Sequence, residues 1–178
     1  MSEYRVSSRY AKSLIELAQE KNLLDQVKND MVLFRDTCDQ SRDLSLMLKS
    51  PIISHIKKAE ILKSLFEGKV NELTFSFIDI VCKKTREFLL YPIAKQFLHQ
   101  YNEVKGIQKA TVISSTPLTV TAREAINKVV SEVTGKTVEL EEKVDESLIG
   151  GYVLRVGDKQ IDDSVKSRLK NLRAELSA

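Results

Sequence analysis

Tryptophan is absent from this 178-residue chain, and aromatic residues together make up 6% of it. Few side chains are therefore available on which nucleic-acid bases could stack. The basic pairs Lys57-Lys58 and Lys83-Lys84 have no stacking platform beside them. Net charge is only +3. Residues 1–105 hold 17 basic and 14 acidic side chains, and residues 106–178 hold 11 of each, so neither half carries a dominant basic field. Two cysteines, Cys38 and Cys82, are too few for a disulfide scaffold and read as small buried hydrophobes. The only histidines, His55 and His99, have no Cys, His or carboxylate at metal-ligand spacing. With no Gly-x-Ser-x-Gly either, a nucleophilic triad has no support. No apolar run approaches the ~20 residues that a membrane span needs. The opening Met-Ser-Glu-Tyr-Arg has no apolar signal core behind it. The expectation is a cytoplasmic protein that reaches a membrane only through partners, without direct insertion.

What is present excludes disorder. Hydrophobic residues are 42% and charged residues 30% of the chain. Surface scaling predicts that a single globule of this mass buries roughly 70% of its chain surface. Glycine is unevenly placed. Gly68 stands alone in the first 105 residues, and the other five glycines follow, together with the β-branched runs. The shift predicts a boundary near Lys105-Gly106. The fold expected is α+β: an N-terminal six-helix bundle over 1–105, then a small α/β domain over 106–178 with a mixed sheet and a C-terminal helix.

Periodicity predicts helices over Val6–Lys21, Leu24–Cys38, Asp43–Leu48, a segment capped by Ser54 and ended before Gly68, Asn71–Lys84, and Leu90–Val104. In the fourth, Ile56, Leu62, Leu65 and Phe66 face inward. In the sixth, Ile93, Ala94, Phe97, Tyr101 and Val104 share a side, and Pro92 is tolerable in the first turn. Beyond residue 105, strands are expected at Lys109–Ser114, Thr137–Val144 and Gly151–Val156. Gly157-Asp158 then turns a hairpin into Lys159–Ile161. A helix over Thr121–Thr134 carries Ala122, Ala125, Ile126, Val129, Val130 and Val133. The last helix is capped by Asp162 or Asp163, and its stripe of Val165, Leu169, Leu172 and Leu176 is expected to pack on the sheet.

Gly135-Lys136-Thr137 looks like the end of a phosphate loop, but Val130 stands where that loop needs its first glycine, and a helix precedes where a strand should. The segment reads as a helix C-cap. Glu139 and Glu141 share one strand face and Glu142 points the other way, so the three acids do not converge. No active site, cofactor site or metal site is expected. The helices point elsewhere. On a wheel of about 100° per residue, Tyr10, Ala11, Leu14, Ile15, Leu17 and Ala18 span an arc of about 160°. In the fifth helix Leu73, Phe75, Phe77, Ile78, Ile80, Val81 and Cys82 cover about 220°. An arc that wide is buried on more than one side. Either the fifth helix is the centre of the bundle, or part of its arc joins the first helix in a groove for a partner helix. Tyr10, Leu14 and Leu17 on one side and Leu73, Phe77 and Ile80 on the other are the partner-binding candidates.

Specific residues now resemble a known family. Arg9-Tyr10-Ala11 with Leu14 and Ala18 resembles the opening of the delta subunit of F-type ATP synthases, the family of the mitochondrial oligomycin-sensitivity-conferring protein. Ser50-Pro51-Ile52, Lys57-Lys58, Leu62 and Leu65-Phe66, then Arg86, Leu90, Ile93 and Phe97, are similar to later parts of that family. Near the C-terminus, Val138, Leu140, Val144-Asp145, Leu148, Gly150-Gly151, Val153, Arg155, Gly157-Asp158, Ile161-Asp162, Ser164-Val165 and Leu169 resemble its signature. Thr85 departs from the pattern, since the family often has Gly before the Arg. The resemblance implies a non-catalytic stator subunit, present in one copy per complex. Its helical domain would hold N-terminal helices of the alpha subunits on the catalytic head. Its second domain would bind the b subunits of the peripheral stalk. It would lie peripherally on the cytoplasmic side of the cell inner membrane, with Arg86 stabilising a helix junction and Gly150-Gly151 permitting a bend or close backbone approach. The rival from another class is a small helical RNA-binding factor, against which the even charge of both halves argues.

Overall fold

The computed structural model describes residues 3–176, Val133 without its side chain. Before the first strand come α1 (Glu3–Glu20), α2 (Leu24–Gln40), α3 (Arg42–Lys49), α4 (His55–Phe66), α5 (Glu72–Lys83) and α6 (Leu90–Lys105), with a 3-10 turn at Glu87–Leu89. There follow β1 (Ile107–Ser114), α7 (Val120–Thr134), β2 (Thr137–Val144), a 3-10 turn at Glu146–Leu148, β3 (Tyr152–Val156), β4 (Lys159–Asp162) and α8 (Val165–Leu176). The architecture is α+β, a helical part followed by helices and a four-stranded mixed sheet. The chain divides into two compact units, Met1–Tyr101 and Asn102–Ala178. The division falls inside α6 because its last buried side chain is Tyr101; Val104, expected on the packed side, is exposed.

Local chemistry explains the helix ends of the first unit. Ser41, Ser54 and Asn71 each accept a backbone N–H of the following turn, from Leu44, Lys57 and Leu73 respectively. At the end of α1 the chain reverses through Asn22 at φ 54°, and the Leu23 N–H closes back on the Ala18 carbonyl at 2.8 Å. The core is built from Leu14, Val27, Phe34, Phe66, Val81 and Phe97, all essentially inaccessible. Phe34 and Phe66 meet with ring centroids 5.1 Å apart. Ile56, expected inward on α4, is 60% exposed. It lies six residues before Leu62, about 120° round the helix from it, and it borders a surface cleft instead.

One pair of charges lies inside this core. Lys58 Nζ donates to Glu87 Oε1 at 2.8 Å and to the Leu48 carbonyl at 3.0 Å, with both side chains almost fully buried. The ammonium therefore ties α4 to the last turn of α3 and to the 3-10 turn that leads into α6. Glu87 Oε2 is buried without a protein partner among the described residues.

In the second unit the strand order is β2-β1-β3-β4, with β1 parallel to β2 and antiparallel to β3. The β1–α7–β2 crossover accounts for the parallel pair. Gly135, at φ +65°, ends α7 with its N–H on the Ser131 carbonyl, so the Gly-Lys-Thr segment is a helix cap. Alternation then sorts the strand residues. Ala110, Val112 and Leu154 form a buried core with Ile126 and Val130 of α7. Lys109, Thr111, Glu139, Glu141 and Arg155 lie on the opposite face. As the alternation requires, Glu142 turns towards α7 and pairs with Arg123.

Two expectations for the C-terminal helix need correction. Its N-cap is neither Asp162 nor Asp163 but Ser164, whose Oγ accepts from the Ser167 N–H at 3.2 Å. Asp162 reinforces the turn by accepting from the Ser167 hydroxyl and the Ser164 N–H, bonds that hold its carboxyl below the usual carboxylate range. Asp163 pairs with Arg168. The leucine stripe also fails to pack: α8 has no buried residue, and Leu169, Leu172 and Leu176 are all exposed. The sheet face not used by α7 carries Lys109, Thr111, Glu139, Glu141 and Arg155 beside the apolar Ile113 and Val153. The helix is held at its start, where the Val165 N–H meets the Gly150 carbonyl at 3.0 Å. Close backbone approach explains the glycine beside it, since a Cβ on Gly151 would stand 2.3 Å from the Asp163 carbonyl oxygen.

The buried pair makes a clear prediction. Lys58→Met leaves the Glu87 carboxylate uncompensated in the core and should cost about 3–5 kcal/mol of stability. Lys58→Met combined with Glu87→Leu should recover most of that loss. Urea unfolding of the two variants and the parent checks both statements.

Candidate functional site

α5 reaches its place through contacts made at its two ends. At its start, the Asp30 carboxylate of α2 accepts from the Asn71 N–H at 2.9 Å and from the Thr74 hydroxyl at 2.6 Å. A negative group here also complements the helix dipole. At its end the chain leaves through Thr85 in the left-handed region, at φ 54°. The Thr85 N–H bonds the Cys82 carbonyl and the Arg86 N–H bonds the Val81 carbonyl, the paired closure that usually ends in glycine. The sequence departure at Thr85 is thus a strained residue in a glycine position.

Between those ends the helix is too apolar for its own bundle. Ile78, Val81 and Cys82 are buried, Phe75 and Phe77 are half-buried, and Ile80 is 53% exposed. Of the six partner-binding candidates, two belong to the core: Leu14 is 1% exposed and Leu73 8%. Their places on the wheel face the bundle interior, which one sequence cannot orient. Tyr10 and Phe77 are half-buried and meet edge to face, with centroids 6.3 Å apart. That contact brings α1 and α5 side by side. Leu17, 40% exposed, and Ile80 remain open to solvent.

Sequence reasoning missed two features around this face. The first is Arg86, whose Nη1 donates to the Tyr10 hydroxyl at 2.9 Å while its guanidinium lies 5.8 Å from the Tyr10 ring centre. Its backbone does serve the helix junction, but its side chain crosses to α1. The second lies on the other flank of α5, where a cleft of about 530 Å³ opens against α4, lined in part by Ile56, Ala59, Phe75 and Asp79. The 220° apolar arc was its only sequence signal. The second unit has an uncovered apolar surface of its own besides the α8 stripe: Val129 and Ile161 are exposed beside a cleft of about 370 Å³ over Leu154 and Val156.

None of these surfaces carries the groups that chemistry needs. Among the described residues no three His, Cys, Asp or Glu side chains converge as metal ligands. Cys38 and Cys82 are buried, and burial pushes both thiols up to about 11, so neither offers a thiolate. What the arrangement can do is bury apolar side chains of other helices.

Comparison with known proteins shows the family to which the chain belongs. The sequence profile of the ATP synthase delta (OSCP) subunit family matches residues 6–176. The chain is 40% identical to the ATP synthase subunit delta of Cytophaga hutchinsonii, over 97% of this chain and 94% of that one. It is 37% identical to the ATP synthase subunit delta of Chlorobaculum tepidum, over 100% and 98%. Among solved structures, a chain of the Toxoplasma gondii mitochondrial ATP synthase hexamer shares the fold, with a TM-score of 0.71 at 24% identity over 97% of both chains. The chain belongs to the ATP synthase delta (OSCP) subunit family, whose members are non-catalytic subunits of ATP synthase.

The end of α5 can be tested directly. A non-glycine residue in the left-handed region costs about 1–2 kcal/mol, and glycine adds back about 0.5–1 kcal/mol of chain entropy. Thr85→Gly should therefore stabilise the protein by up to about 1 kcal/mol, which for a chain of this size raises Tm by about 2–4 °C. A melting curve shows the rise; no rise, or a fall, would mean that the Thr85 side chain stabilises the junction by more than its backbone strains it.

Proposed function

We propose that this chain is the stator link of an F-type ATP synthase, joining the catalytic head to the peripheral stalk so that proton-driven rotation is coupled to ATP synthesis. In this reading residues 1–105 act as a six-helix bundle that holds N-terminal helices of the alpha subunits. Residues 106–178 bind the b subunits. One copy serves each complex, peripherally on the cytoplasmic side of the inner membrane. Family membership supports the role. Among the described residues no helix is long and apolar enough to cross a membrane, which agrees with attachment through partners. The RNA-binding alternative has no support from the relatives.

The observation that carries the head-binding half is the α1–α5 face, with Leu17 and Ile80 exposed around the Tyr10–Phe77 contact. An amphipathic helix laid along it would bury its anchors on those side chains. The stalk-binding half is supported by α8, a helix whose leucine stripe finds no cover in its own unit.

Ile80→Asp is the test of the α1–α5 face. The residue is exposed, so its fold should lose less than about 1 kcal/mol. In a complex the carboxylate would be desolvated without a partner, and binding of the alpha-subunit N-terminal peptide should weaken by about 2–4 kcal/mol. A melt beside a calorimetric titration separates the outcomes. Unchanged binding, or a collapsed melt, removes this face from the proposal.

A further inference from the structure

α7 connects β1 to β2 and packs over them and over Leu154 of β3, so it covers only part of its sheet face. The rest of that face lies over β3 and β4. Ile161 stands opposite Leu154 in the β3–β4 ladder and therefore shares its face, yet it is exposed. Two clefts, of about 370 and 240 Å³, lie along this strip and have Val129 and Leu154 in common. Their floor is made by the alternate residues Tyr152, Leu154 and Val156 of β3. Their wall is a flank of α7, where Ala122, Ala125 and Val129 follow one another at spacings of three and four. Small side chains in that wall admit a second helix at close range.

α8 has the dimensions of the missing helix. At about 100° per residue, Val165, Leu169, Leu172 and Leu176 fall within an arc of about 60°, a single narrow seam. At about 1.5 Å per residue the seam is about 17 Å long. The five residues of β3 span about the same length, at roughly 3.3 Å each. α8 also starts at the right end of the strip. β4 finishes beside the start of β3, with Asp162 opposite Val153 and the Asp163 N–H on the Tyr152 carbonyl at 3.0 Å. Only Asp163 and Ser164 separate β4 from α8, a connection of the length that returns a helix over its own strand in α/β units. Folded back in this way, α8 lies parallel to α7, with Lys166 and Lys170 towards solvent. In the structure it is fastened at its first turn instead, and none of its residues is buried.

We propose that α8 is a strap with two positions. It is open in the structure, with its seam and the β3–β4 strip both uncovered. In the closed position the seam is seated in the strip beside α7, and the backbone of Asp163 and Ser164 is the hinge. Closure hides two apolar surfaces of the unit at once, so the free chain does not offer them to other apolar surfaces, and a stalk helix binds only after the strap lifts. This gating rests on the reading of residues 106–178 as the stalk-binding unit; the closed position does not.

A cross-link in the full chain tests the strap. Val129→Cys and Leu172→Cys place one thiol on the wall and one on the seam, and both positions are exposed, so the fold should lose little. Cys38 and Cys82 are buried and do not compete. With oxidised glutathione as the oxidant, itself reduced to the thiol, the pair should close an intramolecular disulfide. It should do so at least tenfold faster than Val129→Cys with Lys170→Cys, whose second thiol lies on the far side of the helix. The locked chain should bind the C-terminal peptide of the b subunit from the same complex at least tenfold more weakly than the same chain after reduction. Equal rates for the two pairs, or a disulfide between two copies of the chain, overturn the strap and leave the stalk reading untouched. Equal binding before and after reduction overturns the gating. If the reduced chain does not bind the peptide, the stalk reading fails and the gating falls with it, while the cross-linking rates still decide whether α8 closes.

Discussion

The first unit is organised around one constraint: α5 is apolar over more of its circumference than its neighbours can cover. Such a helix in a water-soluble bundle must be gripped tightly at its ends and shielded along its flanks. The grip comes from Asp30 at its start and from the Thr85–Arg86 closure at its end. The shielding is incomplete. α1 covers one side through Tyr10 on Phe77, α4 leaves a cleft on the other, and Ile80 stands in solvent. A position that costs solvation in the free chain is one that a partner helix can bury, so the energetic defect is also what supports the proposed docking face.

The buried Lys58–Glu87 pair gives this arrangement its fixed frame. Burying an ion pair adds little net stability over an apolar core. It does define geometry, because the ammonium has to meet both a carboxylate and the Leu48 carbonyl. Those three groups come from α3, α4 and the turn before α6. The residue next to Glu87 is Arg86, so the rigid interior and the exposed guanidinium belong to one piece of backbone. The strain accepted at Thr85 fits the same picture, a local cost sustained by bonds on either side.

The second unit solves a different problem with fewer residues. Four strands and α7 enclose one small core, and the opposite sheet face carries charged side chains beside Ile113 and Val153. α8 is then fastened at its first turn by Ser164, Asp162 and the Gly150 carbonyl rather than by burial of its stripe. The absent Cβ at Gly151 is what lets the backbone entering β3 pass so close to the segment leading into α8.

Much of this was legible in the chain itself, for physical reasons that are local. Caps such as Ser54 and Asn71, the Gly135 stop and the two-residue turn at Gly157-Asp158 act over a few residues, so the element order and the α+β class follow from them. The alternation that separates Glu142 from Glu139 and Glu141 is equally local. The shift of glycine content near residue 105 marked where helices give way to strands, and the family resemblance lay in residue identities that need no coordinates. Rotation of a helix about its own axis is not local. Leu14, Leu17, Leu73 and Ile80 are equally apolar in sequence, and only packing against the rest of the bundle turned the first and third inward and left the second and fourth outside. The same held for Ile56 and for the α8 stripe, whose cover depends on what the facing surface offers. Arg86 and Tyr10 are 76 residues apart, and no periodicity joins them. Tertiary structure made them neighbours because the end of α5 and the side of α1 are held together by a core that neither residue belongs to.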